Sequence, residues 1–124
     1  MLCLNVKETA DKFATRIMAG EKTVETRTLR AFSDLVGAGL HVGDIVGIVS
    51  GSRLLGTCAV KGFTLYGTES EFYADGERHL VKAGSEFSYD SRKGKVGIVL
   101  DSPVVEHDPV ALPKMNHPCG YRII

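Results

Sequence analysis

The chain has 124 residues, which suits a single domain spanning residues 1–124, and its hydrophobic content of 44% excludes a disordered chain. Fifteen basic and fifteen acidic side chains cancel, so no global basic field draws it to nucleic acid and any such binding must use a local patch. No apolar run approaches the roughly eighteen residues of a membrane span, the first residues lack a signal peptide's apolar core, and Cys3, Cys58 and Cys119 form no Cys-x-x-Cys pair, so a cytoplasmic protein with reduced thiols and no membrane contact is expected.

In chain order, "MLCLNVK" alternates loosely and predicts a first strand. "TADKFATRIMAG" predicts a helix, because Ala10, Phe13, Ala14, Ile17 and Met18 recur at helical spacing, with Thr9 as N-cap and Gly20 as a left-handed stop. The stretch "GEKTVETRTLR" is unusual in carrying Lys22, Glu25, Arg27 and Arg30, and within it "TVETR" reads as a strand. Its β-branched Thr23, Val24 and Thr26 favour that state, and period two puts Glu25 and Arg27 on one face. "AGLHVGD" reads as a loop feeding the buried strand "IVGIVSG", which the turn "SGSR" joins to "LLGTCAVKGF" as a hairpin. "ESEFYADGERHLVKAG" predicts one or two short helices around Gly76. "KVGIVLDSPVVEH" is an apolar strand interrupted from Asp101 to Pro103, and "CGYRII" a short final strand. Many short strands with two or so helices predict an α+β, mainly β fold, a small and partly open barrel, and fourteen glycines suit its curvature.

The charged strand is the candidate site. If it and the end of the helix line a cleft, Lys22 and Arg27 meet an anionic or carbonyl-rich ligand, while Glu25 orients them or accepts a donor. The competing reading is an ordinary surface ion pair. A lysine at the mouth of an apolar barrel is partly desolvated, which lowers its pKa. Arg27 offers a planar fork for phosphate or a base edge, and Glu25 an acceptor for an exocyclic amine. Among Tyr66, Phe72, Tyr73 and Tyr89, Tyr66 is the best placed to stack on a base. Arg53 and Lys61 on the hairpin extend Lys22, Arg27 and Arg30 into a candidate basic patch, and Glu77 or His79 is a candidate to close the cleft. Lys114 reads as an ordinary surface lysine. Asn116, His117 and Arg122 cluster near the C-terminus, but His107 and His117 have no partnered ligand motif, so no metal is expected. The chain has no P-loop, GxSxG or GxGxxG, and no cofactor is expected.

"IMAGEKTVETR" resembles the signature of the ASCH domain, the activating signal cointegrator homology family. Its Gly-x-Lys-Thr-x-Glu-x-Arg pattern is matched by Gly20, Lys22, Thr23, Glu25 and Arg27. "HVGDIVGIVSG", "KVGIVLDSPVVE" and "GYRII" are similar to later strands of that family. The resemblance implies a PUA-like β-barrel that handles RNA or modified nucleosides, with Lys22, Thr23, Glu25 and Arg27 in the ligand site; Arg53 and Tyr66, from the reading of the residues above, are further candidate ligand contacts. Some ASCH relatives resemble amidohydrolases that deacetylate acetylcytidine with a lysine, a nucleophilic threonine and a glutamate. Lys22 matches that lysine, but Glu25 stands where the threonine would be. The expected function is therefore an RNA- or modified-nucleoside-binding module. The alternative is a small amidohydrolase or ribonuclease with Lys22 and Glu25 as its catalytic residues.

Overall fold

A computed structural model describes residues 1–115 and 119–124, so Asn116 and His117 lie outside the described residues. The chain begins with β1 (Leu2–Asn5) and α1 (Phe13–Met18), then β2 (Val24–Arg27) and α2 (Leu29–Gly37). The hairpin β3 (Ile45–Ser50) and β4 (Arg53–Tyr66) follows, then α3 (Glu69–Ala74) and α4 (Gly76–His79), and finally β5 (Lys95–Ala111) and β6 (Tyr121–Ile123). The strands join in one sheet of order β2-β5-β4-β3-β1-β6, parallel between β1 and β3 and antiparallel elsewhere. The sheet curls into a half-barrel, mainly β with short helices, as the strand pattern led us to expect.

The first helix is shorter than its apolar stripe. Lys12, at its N-terminus, takes a left-handed φ of 52°, and Ala10 is exposed. The acceptor for the orphaned amides is Glu8 and not Thr9: its carboxylate takes the Thr15 amide at 2.8 Å and the Thr15 hydroxyl at 2.7 Å. Phe13, Ala14, Ile17 and Met18 are buried, and Gly20, with φ of 77°, ends the turn as the sequence led us to expect.

The charged strand stops at Arg27, as "TVETR" led us to expect. Thr28 caps α2 by accepting the Ala31 amide at 3.2 Å, which puts Leu29 and Arg30 in a helix. Along α2 only Leu35 is fully buried, and Phe32 meets Phe63 edge-on at 4.9 Å. The interruption from Asp101 to Pro103 is a bulge inside one long strand. The register slips between Thr57 and Ala59, and Ser102 has φ of 50°. A proline, lacking an amide hydrogen, is tolerated at such a bulge.

The two edges of the sheet, β2 and β6, are tied by one side chain. Arg27 of β2 donates through Nη1 to the Gly120 carbonyl, just before β6, at 2.8 Å, and through Nη2 to the Asn5 carbonyl, at the end of β1, at 2.9 Å. The same Nη2 reaches Glu25 Oε2 at 3.0 Å. A Cβ on Gly120 would lie 2.7 Å from Nη1, so the clasp needs glycine there. Lysine has no planar fork to span two carbonyls and a carboxylate. Arg27→Lys is therefore expected to destabilise the fold by about 2–4 kcal/mol, the scale of one or two charged hydrogen bonds. It should speed amide exchange at Tyr121–Ile123 before the β3–β4 hairpin, as hydrogen-exchange mass spectrometry can read. Equal acceleration in both elements would show that Arg27 does not hold the edges together.

Candidate functional site

The turn after α1 sends Lys22 inward. Its side chain is wholly covered, and Nζ donates to the His79 carbonyl, lies 4.3 Å from the centre of the Phe13 ring and sits 3.6 Å from Glu25 Oε1. Burial lowers the Lys22 pKa, and the neighbouring Glu25 carboxylate opposes that shift. Glu25 is itself only 8% exposed and stands between two cations, Lys22 on one oxygen and Arg27 on the other. Glu25 and Arg27 share a face, as period two predicted.

Glu25 and Arg27 form part of the wall of a cavity of about 960 Å³. The β1–α1 connection supplies Asn5 to Thr9 and α1 supplies Phe13. The end of β3 and the turn after it supply Val49 to Ser52, β2 supplies Thr26 besides Glu25 and Arg27, and Phe87, Lys114, Met115, Cys119, Gly120 and Arg122 complete the wall. Residues far apart in sequence meet here because β6 pairs with β1, placing Arg122 opposite Cys3. Asn5 fastens the same corner: its amide donates to the Gly120 carbonyl at 3.0 Å, and its side chain donates to the Cys119 carbonyl at 2.7 Å.

No protein-family model and no curated protein sequence matches the chain. Solved structures do. A mutant of the ASCH protein of Zymomonas mobilis superposes with a TM-score of 0.69 at 13% identity, over 99% of this chain and 87% of that one. The ASCH structure of the same organism gives 0.65 at 14% identity, over 90% and 73% of the two chains. The hypothetical protein PH0355 gives 0.52 at 23% identity, over 81% and 97%. The chain has the ASCH-domain fold.

Within this ASCH fold the residues singled out in the sequence fall in different places. Lys22, Glu25 and Arg27 come together, but Lys22 lies behind Glu25 and does not line the cavity. Thr23 is used through its backbone, its amide donating to the Arg78 carbonyl and its carbonyl accepting from Leu100. Tyr66 is buried, with its hydroxyl on Asp75 and its ring against Phe72 and His79, and does not line the cavity. Arg53 is exposed at the start of β4, one residue past the Ser52 that does line it. Lys61 pairs with Asp101 at 3.9 Å, and Arg30 is exposed on α2, so the expected basic patch is dispersed. Lys114, read as ordinary surface, is a wall residue.

Sequence reasoning missed Asn5, Phe87 and Lys114, since their shared wall exists only after β1 and the C-terminal segment pair. It also missed Lys95, which is buried, with burial lowering its pKa while nearby Glu25 opposes the shift.

His79 holds Lys22 from behind, with its own ring fixed. The Val81 amide donates to His79 Nδ1 at 2.9 Å, so the ring proton sits on Nε2, which donates to the Phe72 carbonyl at 2.6 Å. The ring stacks on Phe72 at 4.1 Å. Burial pushes its pKa below the usual 6.5. The unfolded chain therefore takes up a proton below pH 6.5 that the folded ring resists, so stability is full above that value and falls as pH drops through it. Asp75, held low chiefly by Arg78, loses its contribution only below its ordinary value of 3.8, a separate window. The melting temperature should fall between pH 7 and 5, and less steeply in His79→Gln. An identical slope in the variant would place the titrating group elsewhere.

Proposed function

We propose that the cavity binds the base of a nucleoside, free or within RNA, and that Glu25 reads it by accepting a donor such as an exocyclic amine. The observation that carries this reading is the Glu25 carboxylate, dehydrated yet on the cavity wall and held in one orientation by Arg27 on one oxygen and Lys22 near the other. A fixed acceptor in a poorly hydrated wall discriminates strongly, because a ligand without the matching donor leaves it unpaired. Phe87, partly buried on the same wall, supplies a ring on which a base can stack. The volume, about 960 Å³, is at the upper end for small-molecule sites and holds a nucleoside. The alternative of hydrolysis by Lys22 has less support, since its amine is aimed at the His79 carbonyl and away from the wall.

The test is calorimetric titration of cytidine, acetylcytidine and the other common nucleosides into the protein and its variants. Folding is checked by circular dichroism at the working temperature. The protein should bind at least one of them. Glu25→Gln should weaken that binding about tenfold or more, the loss of a charged hydrogen bond worth ~1.5–3 kcal/mol. Phe87→Ala should cost about 1–3 kcal/mol of stacking. If no nucleoside binds, or if folded Glu25→Gln binds as well as the parent protein, Glu25 is only a member of a structural ion network.

A further inference from the structure

The charges on the cavity wall do not balance. Its lining carries four cations, Lys7, Arg27, Lys114 and Arg122, against two carboxylates, Glu8 and Glu25. Both carboxylates are already used: Glu8 holds the Thr15 amide and hydroxyl, and Glu25 lies between Lys22 and Arg27. Arg27 is used as well, on two carbonyls and Glu25, and Lys7 lies 3.7 Å from Glu86. Lys114 and Arg122 are different. Among the described residues neither has an acidic partner within ion-pair distance, and the single hydrogen bond from the Arg122 guanidinium goes to the Pro113 carbonyl at 2.8 Å. That bond also places Arg122 against the backbone beside Lys114. The same cavity is lined by Ser50 and Ser52 of the β3–β4 turn, whose hydroxyls have no hydrogen bond among the described residues.

We infer that Lys114 and Arg122, with the hydroxyls of Ser50 and Ser52, form a phosphate subsite, so that the ligand of this cavity is a nucleotide and not a bare nucleoside. The chemistry divides the wall in two. Glu25 and the Phe87 ring suit a neutral base that brings a donor and a π-face. Two cations without an ion-pair partner among the described residues, lining the same cavity as two hydroxyl donors, suit a phosphate ester, whose oxygens accept only. Arg122 can grip two phosphate oxygens with its planar fork, while Lys114, exposed and flexible, acts as a point charge. A carboxylate ligand would satisfy the same cations less fully, having two oxygens where a phosphate monoester has three. The inference rests on the nucleoside reading above for the base, and independently on the charge balance for the phosphate.

The experiment titrates cytidine, cytidine 5′-monophosphate, cytidine 3′-monophosphate, a short single-stranded RNA and inorganic phosphate into the protein and into Lys114→Gln/Arg122→Gln, at two salt concentrations. The base of the nucleotides is changed to whichever the protein prefers. A phosphorylated form should bind about tenfold or more tightly than its nucleoside. That preference should shrink at high salt, and the double variant should lose it while keeping nucleoside affinity within about twofold. Equal binding of nucleoside and nucleotides, or a preference that survives in the double variant, overturns the phosphate subsite and leaves the nucleoside reading standing. Inorganic phosphate bound through Lys114 and Arg122 with no nucleoside bound keeps the subsite and overturns the nucleoside reading. No binding of any of them overturns both.

Discussion

A lysine ammonium taken wholly out of water needs opposite charge and acceptors around it, and the rest of this structure is arranged to supply them. Lys22 finds a backbone carbonyl at His79, a ring face at Phe13 and a carboxylate at Glu25. Glu25 in turn needs a second cation on its other oxygen to be fixed in place, and Arg27 provides it. Arg27 has donors left over, and those close the curled sheet by reaching the carbonyls of Asn5 and Gly120. One chain of polar contacts thus runs from the short helix α4 to both edges of the sheet, so that anchoring a charge and closing the half-barrel are one task. Such networks are expensive when any member is left unpaired, which is why each partner here is itself held.

The consequence for function follows from where this chain surfaces. Lys22 stays behind the wall and Arg27 is spent on the fold, so Glu25 is the member with a lone pair to offer a ligand. Arginine and lysine, the residues that first attract attention in a charged strand, are on this account positioning residues for the carboxylate between them. Lys114 and Arg122, which have no ion-pair partner among the described residues, line the same cavity, and the pairing of β6 with β1 brings Arg122 there.

Much of the fold was legible in the sequence because its signals are local. Alternation marked β1, and an apolar run followed by the "SGSR" turn marked the hairpin of β3 and β4. Gly20 marked the end of α1, and the Gly-x-Lys-Thr-x-Glu-x-Arg pattern pointed to the ASCH fold that the solved structures share. The errors have local causes too. Thr9 looked like a cap, but Glu8 could reach the Thr15 amide and did so. The helix α2 was overlooked although Thr28 caps it and Leu29, Phe32, Leu35 and Val36 recur at helical spacing, because the charged residues just before them drew attention to the strand. The site was half legible: the contact between Glu25 and Arg27 follows from period two, whereas the depth of Lys22 depends on His79, fifty-seven residues away. Tyr66 drew attention as an aromatic at a strand end, yet Asp75, Phe72 and His79 enclose it. Lys114 and Arg122 carry no motif, and their shared wall with Glu25 exists only in three dimensions.

The central claim is that Glu25 compensates a buried Lys22, and stability measurements on Glu25→Gln, Lys22→Met and the double variant test it most directly. Glu25→Gln alone leaves a buried ammonium without its counter-charge and should cost about 3–5 kcal/mol. Adding Lys22→Met removes the stranded charge, so the double variant should be more stable than Glu25→Gln alone in denaturant titrations at pH 7. If the two losses simply add, to within about 0.5 kcal/mol, the residues are energetically independent. The account of a single chain of charge running through the fold would then be contradicted.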